Sequence, residues 1–450
     1  MKAHRPTFVR LVPLALALVA GTAHAQDATP AAAVAPAPVA QPAPVAPPAP
    51  AAPAAPAVPA DLSTLGLQDE SQASGSEEHP LQLYGFADVT YYLPFFAKDS
   101  FLAAQIPERN QFVMGNFNLY LAKQISDRLR ALGEVRFMYT PNGQITGSGY
   151  TSTSVDDPAN LYRPVNWGGI AIERLHVEYD LLSNLTLRAG EFLTPYGIWN
   201  VDHGTPTLIS IRAPYVIGEA IFPVHQAGLE VFGRTFFSEL GLEYHLTLSN
   251  GRGPISDTRD LDDNKAVGAR VVLEWRRSFD VKLGASYYRG LYTNRTPTSF
   301  DVMTGKASST ILEQYTEQAL GGDLSVDAAG VVFRGEILGS EHRYADGAGN
   351  RGGGPSFTPD NRRWGWYGLL GYHLPYGLMP FGIAQYYKWP ETPGNTLNRS
   401  VTAYQAGVNY RLHPGVILKA EYTYALIDSP IALIRDTGMS AVEMQISWVF

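Results

Sequence analysis

The stretch Ala441-Val442-Glu443-Met444-Gln445-Ile446-Ser447-Trp448-Val449-Phe450 decides the fold. Val442, Met444, Ile446, Trp448 and Phe450 alternate with Ala441, Glu443, Gln445 and Ser447. Side chains of a strand point to opposite faces at successive residues, so one face is apolar and the other small or polar. A soluble sandwich strand can carry the same alternation. Repetition along the chain separates the cases. Leu175, Val177, Tyr179 and Leu181 alternate with Arg174, His176, Glu178 and Asp180. Leu240, Leu242, Tyr244, Leu246 and Leu248 alternate with Gly241, Glu243, His245 and Thr247. Segments of about ten residues with apolar-out, polar-in alternation and aromatic ends are the pattern of a transmembrane barrel.

Working backward from residue 450, the pattern predicts about sixteen strands, near 81–92, 111–124, 128–139, 170–182, 185–194, 224–236, 239–249, 265–276, 280–291, 311–326, 329–341, 363–374, 378–388, 401–412, 415–427 and 440–450. The gaps alternate in length. Ser183-Asn184, Phe237-Ser238, Asp327-Ala328 and His413-Pro414 read as tight turns. The stretches 93–110, 140–169, 195–223, 250–264, 292–310, 342–362, 389–400 and 428–439 read as loops. The expected fold is all-β: a transmembrane antiparallel β-barrel with long extracellular loops and short periplasmic turns. An apolar alternating strand that closes on a terminal aromatic also resembles the assembly signal of Gram-negative outer-membrane barrels.

Two segments precede the barrel. In residues 1–25, Lys2, Arg5 and Arg10 form a basic region, Leu11 to Ala20 a short apolar run, and Ala23-His24-Ala25 a small-x-small cleavage pattern. That is a secretory signal peptide, too short in its apolar part to span a bilayer. Residues 26–79 read as a periplasmic extension. Ala and Pro make up 27 of the 35 residues in 26–60, a composition that favours extended polyproline II. Residues 61–79 are acidic and polar. The barrel is assigned to 80–450, and the expected location is the Gram-negative outer membrane, reached by Sec export.

Composition excludes several classes. The 450 residues contain no Cys, so disulfides and thiolate metal sites are out. The net charge of -8 argues against nucleic acid as a partner. Charged residues are 17% of the chain, low for a soluble domain. The sequence holds no G-x-S-x-G, H-E-x-x-H or G-x-x-x-x-G-K-[ST] motif, and no cofactor or metal is expected. The acidic stretch Ser256 to Asp263 lacks calcium-loop spacing and reads as a solvated loop, as does the Gly-rich stretch Gly347 to Pro355.

Sixteen strands enclose an aqueous channel. Strand parity turns Arg130, Arg136, Arg174, Arg188, Arg234, Arg270 and Arg334 inward as pore-lining residues. Arg outnumbers Lys 26 to 8, and Arg forks suit carboxylate and phosphate. Acidic residues interleave on the same strands. Glu178, Glu274, Glu336 and Glu421 read as salt-bridge partners across the wall. Loop 195–223 carries Trp199, Asp202, His203, Arg212, Tyr215 and Glu219 among many apolar residues. An apolar loop at a barrel mouth is better buried than exposed. It is expected to fold into the lumen as the constriction, with Arg212 as its selectivity residue.

The segment Arg188-Ala189-Gly190-Glu191-Phe192-Leu193-Thr194-Pro195-Tyr196-Gly197 resembles the R-x-G-x-x-x-T-P-[FY]-G stretch of the phosphate-selective porin O/P family. The opening strand Leu83 to Asp88 is similar to that family's first strand. The resemblance implies a homotrimer whose inward loops narrow the pore and whose basic residues guide anions such as phosphate. The sequence departs from the family in its scarce Lys and in its charge beyond residue 80, where 36 acidic residues face 31 basic ones. The expected function is passive diffusion of small hydrophilic solutes or ions, with outer-membrane lipid as the surrounding partner. An outer-membrane hydrolase, or an adhesin or receptor acting through its loops, stays open on sequence alone.

Overall fold

The computed structural model describes residues 80–96, 110–139, 145–146, 149–150, 167–201, 204–253, 260–296, 298–344, 360–390, 399–431 and 437–450. The expected signal peptide and extension, Asp202, His203, residues 256–259 and the stretch 347–355 lie outside the described residues.

Sixteen strands form one closed barrel: β1 (Gln82–Phe95), β2 (Gln111–Ser126), β3 (Leu129–Tyr139), β4 (Trp167–Leu182), β5 (Leu185–Leu193), β6 (His225–Phe237), β7 (Leu240–Ser249), β8 (Ala266–Arg276), β9 (Asp280–Arg295), β10 (Ile311–Ala328), β11 (Val331–Tyr344), β12 (Asp360–Tyr372), β13 (Leu378–Lys388), β14 (Ser400–His413), β15 (Val416–Asp428) and β16 (Thr437–Val449). Each pairs antiparallel with its sequence neighbours. β16 closes onto β1, and Gly85 and Phe450 exchange backbone hydrogen bonds of 2.9 and 3.0 Å at the seam. Closure removes every free sheet edge, which a wall in hydrocarbon requires.

The alternation read from the sequence is the alternation of the two faces. On β4, Leu175 is 58% exposed on the outer surface, whereas His176 and Glu178 are buried inside. On β16, Met444 and Ile446 are exposed, as is Phe450 just beyond its end, while Glu443, Gln445 and Ser447 are buried. Among the described residues no helix is long and apolar enough to cross a membrane.

Two corrections concern register. The turn at Ser183-Asn184 stands where expected. The other three fall one or two residues later, at Ser238-Glu239, Ala329-Gly330 and Pro414-Gly415. Ser238, Ala329 and Gly330 have φ of 59°, 49° and 84°. Tight hairpins need this left-handed backbone to match strand twist, and residue type alone did not mark Ser238 or Ala329 for it. At the loop end several strands also run further than expected, β9 to Arg295 and β11 to Tyr344. A separate hairpin, Ser299–Asp301 with Lys306–Ser308, stands between β9 and β10.

Candidate functional site: the lumen and its inserted loop

Loop 195–223 begins where β5 ends. Its root is fixed by Thr194, whose N–H donates to Val224 O at 3.0 Å and whose hydroxyl donates to Pro223 O at 2.5 Å. Asn200 clamps the same root through Thr194 O at 2.7 Å. Tyr196 is buried, with its hydroxyl 2.7 Å from Thr247 Oγ1. Gly197 has φ +77°, and a Cβ there would stand 2.1 Å from Glu336 Oε2. The Thr-Pro-Tyr-Gly stretch is therefore a hinge that turns the loop inward.

Inside, wall side chains hold the loop backbone. Glu336 of β11 accepts the Trp199 N–H at 2.9 Å and the Tyr367 hydroxyl at 2.7 Å. The Thr205 hydroxyl donates to Asp88 of β1 at 2.9 Å. Lys419 of β15 donates to Thr205 O and Leu208 O, both at 2.7 Å. Asn409 of β14 donates to Ile209 O at 2.8 Å, and Glu421 of β15 accepts the Ile211 N–H at 2.8 Å. Gln385 of β13 accepts the Tyr215 N–H at 2.7 Å, at the start of the one-turn helix α1 (Tyr215–Gly218). Arg363 donates to Glu219 O, and Arg252 to Ile221 O. Trp199, Val216, Ile221 and Phe222 pack on Tyr288, Ala319, Leu369, Ile383, Tyr387 and Ala403 of the inner wall. The loop thus lies inside the barrel along β9–β16 and β1, and the inner face there is apolar where it meets the loop.

Two carboxylates correct the sequence reading. Glu178 and Glu274 form ion pairs as expected. Glu336 and Glu421 instead accept loop N–H groups. They serve the loop because it supplies buried donors that would otherwise be unsatisfied.

The facing wall carries charge in rows. Arg130, Glu178, Arg188 and Glu230 stand directly opposite one another across β3, β4, β5 and β6. Arg130 Nε lies 2.5 Å and Arg188 Nη2 2.6 Å from Glu178, and Arg188 also pairs with Glu230. Opposite charges at facing positions stabilise a sheet. Arg174 meets Glu134 at 2.6 Å, and Arg136 meets Glu173 at 3.4 Å. Arg234 and Arg276 share Glu274. Arg270 grips Asp323 with two nitrogens, at 2.6 and 3.0 Å, and Arg334 grips Asp327 at 2.8 Å. Arg212 reaches from the loop to Glu443 of β16 at 2.5 Å, with its guanidinium over the Tyr92 ring. All eight sequence-selected arginines are inside the barrel and each is ion-paired; they line several levels rather than one ring.

The members of these pairs differ in access to water. The Arg130, Arg136, Arg212 and Arg234 side chains are 31–39% exposed, while Glu178, Glu173, Glu443 and Glu274 beside them are 3–11% exposed; Asp180, the second partner of Arg130, is 32% exposed. Arg334 and Asp327 reverse the order, and Arg270 is buried with its partner.

Several luminal groups escaped the sequence reading. Glu173 falls on the outward parity, but a β-bulge opposite Glu134 and Val135 turns both Glu173 and Arg174 inward. Glu173 there also meets His225 at 2.6 Å. Asp88 sits at a bulge of β1 and accepts hydrogen bonds from Asn116, Thr205 and Gln445. Glu317 meets Arg252, His342 and Arg363. Among the described residues no group of His, Asp and Glu is arranged to hold a metal ion.

A closed sixteen-stranded barrel with a loop folded into its lumen is the architecture of outer-membrane porins. Solved structures with this fold include an anion-selective porin from Comamonas acidovorans, with TM-score 0.52, 10% identity, and 83% of this chain and 100% of that one covered. The outer-membrane channel DcaP of Acinetobacter baumannii matches with TM-score 0.50, 11% identity and 84% and 99% coverage. An outer-membrane-expressed OmpT of Vibrio cholerae matches with TM-score 0.50, 9% identity and 84% and 99% coverage. No family model matches the sequence, and no curated relative does.

Proposed function

We propose that the protein is a non-enzymatic outer-membrane porin that passes small hydrophilic solutes by passive diffusion and prefers anions. The observation that carries the preference is the depth of the charges. In the Arg130–Glu178, Arg136–Glu173, Arg212–Glu443 and Arg234–Glu274 pairs the carboxylate is nearly buried and the arginine is the more exposed member. A passing anion meets N–H donors; a passing cation finds the acceptor oxygens already engaged. The acidic excess of the sequence does not oppose this, because net charge counts buried and exposed groups alike. The anion-selective porin from Comamonas acidovorans, among the structural neighbours, fits the same reading. Arg forks favour planar carboxylates and phosphate among the anions. Likeness to the phosphate-selective porin O/P family rests on Arg188 to Gly197, and a homotrimer, a cleaved signal peptide in 1–25 and a periplasmic tether in 26–79 complete the proposal.

Reconstitution in planar bilayers tests it. Stepwise currents with a reversal potential on the anion side in a KCl gradient are expected. A cation-side potential overturns the preference, and the absence of current steps overturns the porin.

A further inference from the structure

The outer face of β9–β12 carries polar groups that permeation does not use. The strand register sets Arg289, Gln318, Glu341 and Arg362 in one row across these four strands, at the loop end of the wall. Arg343 stands two residues further up β11, opposite Asp360. Their neighbours in the strands, Tyr288, Ser340, His342, Asn361 and Arg363, point inward, so the row points outward. Arg362 and Arg343 are 77% and 62% exposed and share Glu341, each at 2.9 Å. Arg289 is exposed and has no ion pair among the described residues.

Directly beneath lies the row Tyr287, Leu320, Gly339 and Trp364. Below that come Gly322, Ile337 and Trp366. Leu320, Ile337, Trp364 and Trp366 are exposed on the outer face. Outward Trp marks the level where hydrocarbon gives way to headgroups. Arg facing lipid at the bilayer centre costs about 2–4 kcal/mol and almost nothing near the interface, so these arginines belong at headgroup height. Gly322 and Gly339 leave the wall without side chains between Leu320, Ile337 and Trp364. The result is a groove of ≈ 660 Å³ that runs from the apolar band up to Glu341 and Arg362.

We infer that this groove binds a phosphorylated, acylated glycolipid of the outer leaflet, of lipid A chemistry. An acyl chain lies over Gly322 and Gly339, and phosphate groups meet Arg289, Arg343 and Arg362. Charge selects this occupant: three arginines stand against Glu341 and Asp360, and phosphate oxygens match the guanidinium fork. The inference rests on the outer-membrane placement proposed above and not on the pore.

The test measures binding of bisphosphorylated lipid A to the full chain in nanodiscs, beside dephosphorylated lipid A and inorganic phosphate. The triple variant R289A/R343A/R362A is expected to bind bisphosphorylated lipid A at least about tenfold more weakly, with single-channel conductance unchanged. Gly322→Leu fills the groove; its new Cβ meets only Ile337 Cγ2, at 3.8 Å, so the fold is retained. It is expected to weaken lipid binding while leaving every arginine in place. Equal binding by wild type and triple variant overturns the inference. So does equal binding of the dephosphorylated lipid, or inorganic phosphate held as tightly as lipid A. A change of oligomeric state in the triple variant also overturns it, because the row would then face a second copy of the chain. Lost conductance with intact lipid binding would fell the porin reading alone.

Discussion

Arg212 does two things at once. Glu421 and Glu443 stand directly opposite each other on β15 and β16, a like-charge pair that destabilises a sheet unless it is compensated. Glu421 takes the Ile211 N–H and Glu443 takes Arg212, so adjacent loop residues satisfy both. Arg212→Ala leaves Glu443 exposed to the lumen and frees the middle of the loop. Single-channel recording should show higher conductance and weaker anion preference; unchanged values would remove Arg212 from the path. Glu230 is the complementary case on the facing wall, buried between Arg188 and His245. Glu230→Ala should cost about 1–3 kcal/mol, the range for orphaning buried hydrogen-bond partners, as read by urea unfolding in detergent micelles. The inward place of the arginines was legible in the sequence because parity is local. Their partners were legible only in part, since Glu173 turns inward at a bulge that no residue type announces.

At the scale of elements, strands and loop differ in what their sequences disclose. A strand states its two faces every second residue, so the barrel segments could be read in isolation. Turn positions slipped by one or two residues at Ser238 and Ala329 because a Ser and an Ala take the left-handed backbone there, which their residue types do not announce. Loop 195–223 announced that it is buried through its apolar content. Its contacts could not be read, because Ile211 meets Glu421 and Trp199 meets Glu336 across 210 and 137 positions of chain. The hinge offers a sharp test. Gly197→Ala adds backbone strain of about 1–2 kcal/mol at positive φ and drives a methyl into the Glu336 carboxylate. The loop should then become cleavable by added protease in folded protein, and open-channel noise should rise. A loop as resistant as wild type would show that the hinge is not what seats it.

For the whole molecule, composition misleads in an instructive way. A mean hydropathy of -0.10 belongs to a membrane protein because each strand gives one face to lipid and one to water. An acidic net charge is compatible with the proposed anion path because Glu178, Glu173, Glu443 and Glu274 are less exposed than the arginines they pair with. Removing the loop segment 198–221 should raise conductance while leaving the barrel heat-modifiable on gels, since the sixteen strands close without it. The most direct measurement is the zero-current potential of single channels in a tenfold KCl gradient, for wild type and for Arg130→Ala/Arg136→Ala/Arg234→Ala. The expected result is a potential on the chloride side that moves toward zero in the variant. A potential on the potassium side, or one that the three substitutions leave unmoved, would contradict the proposed anion path.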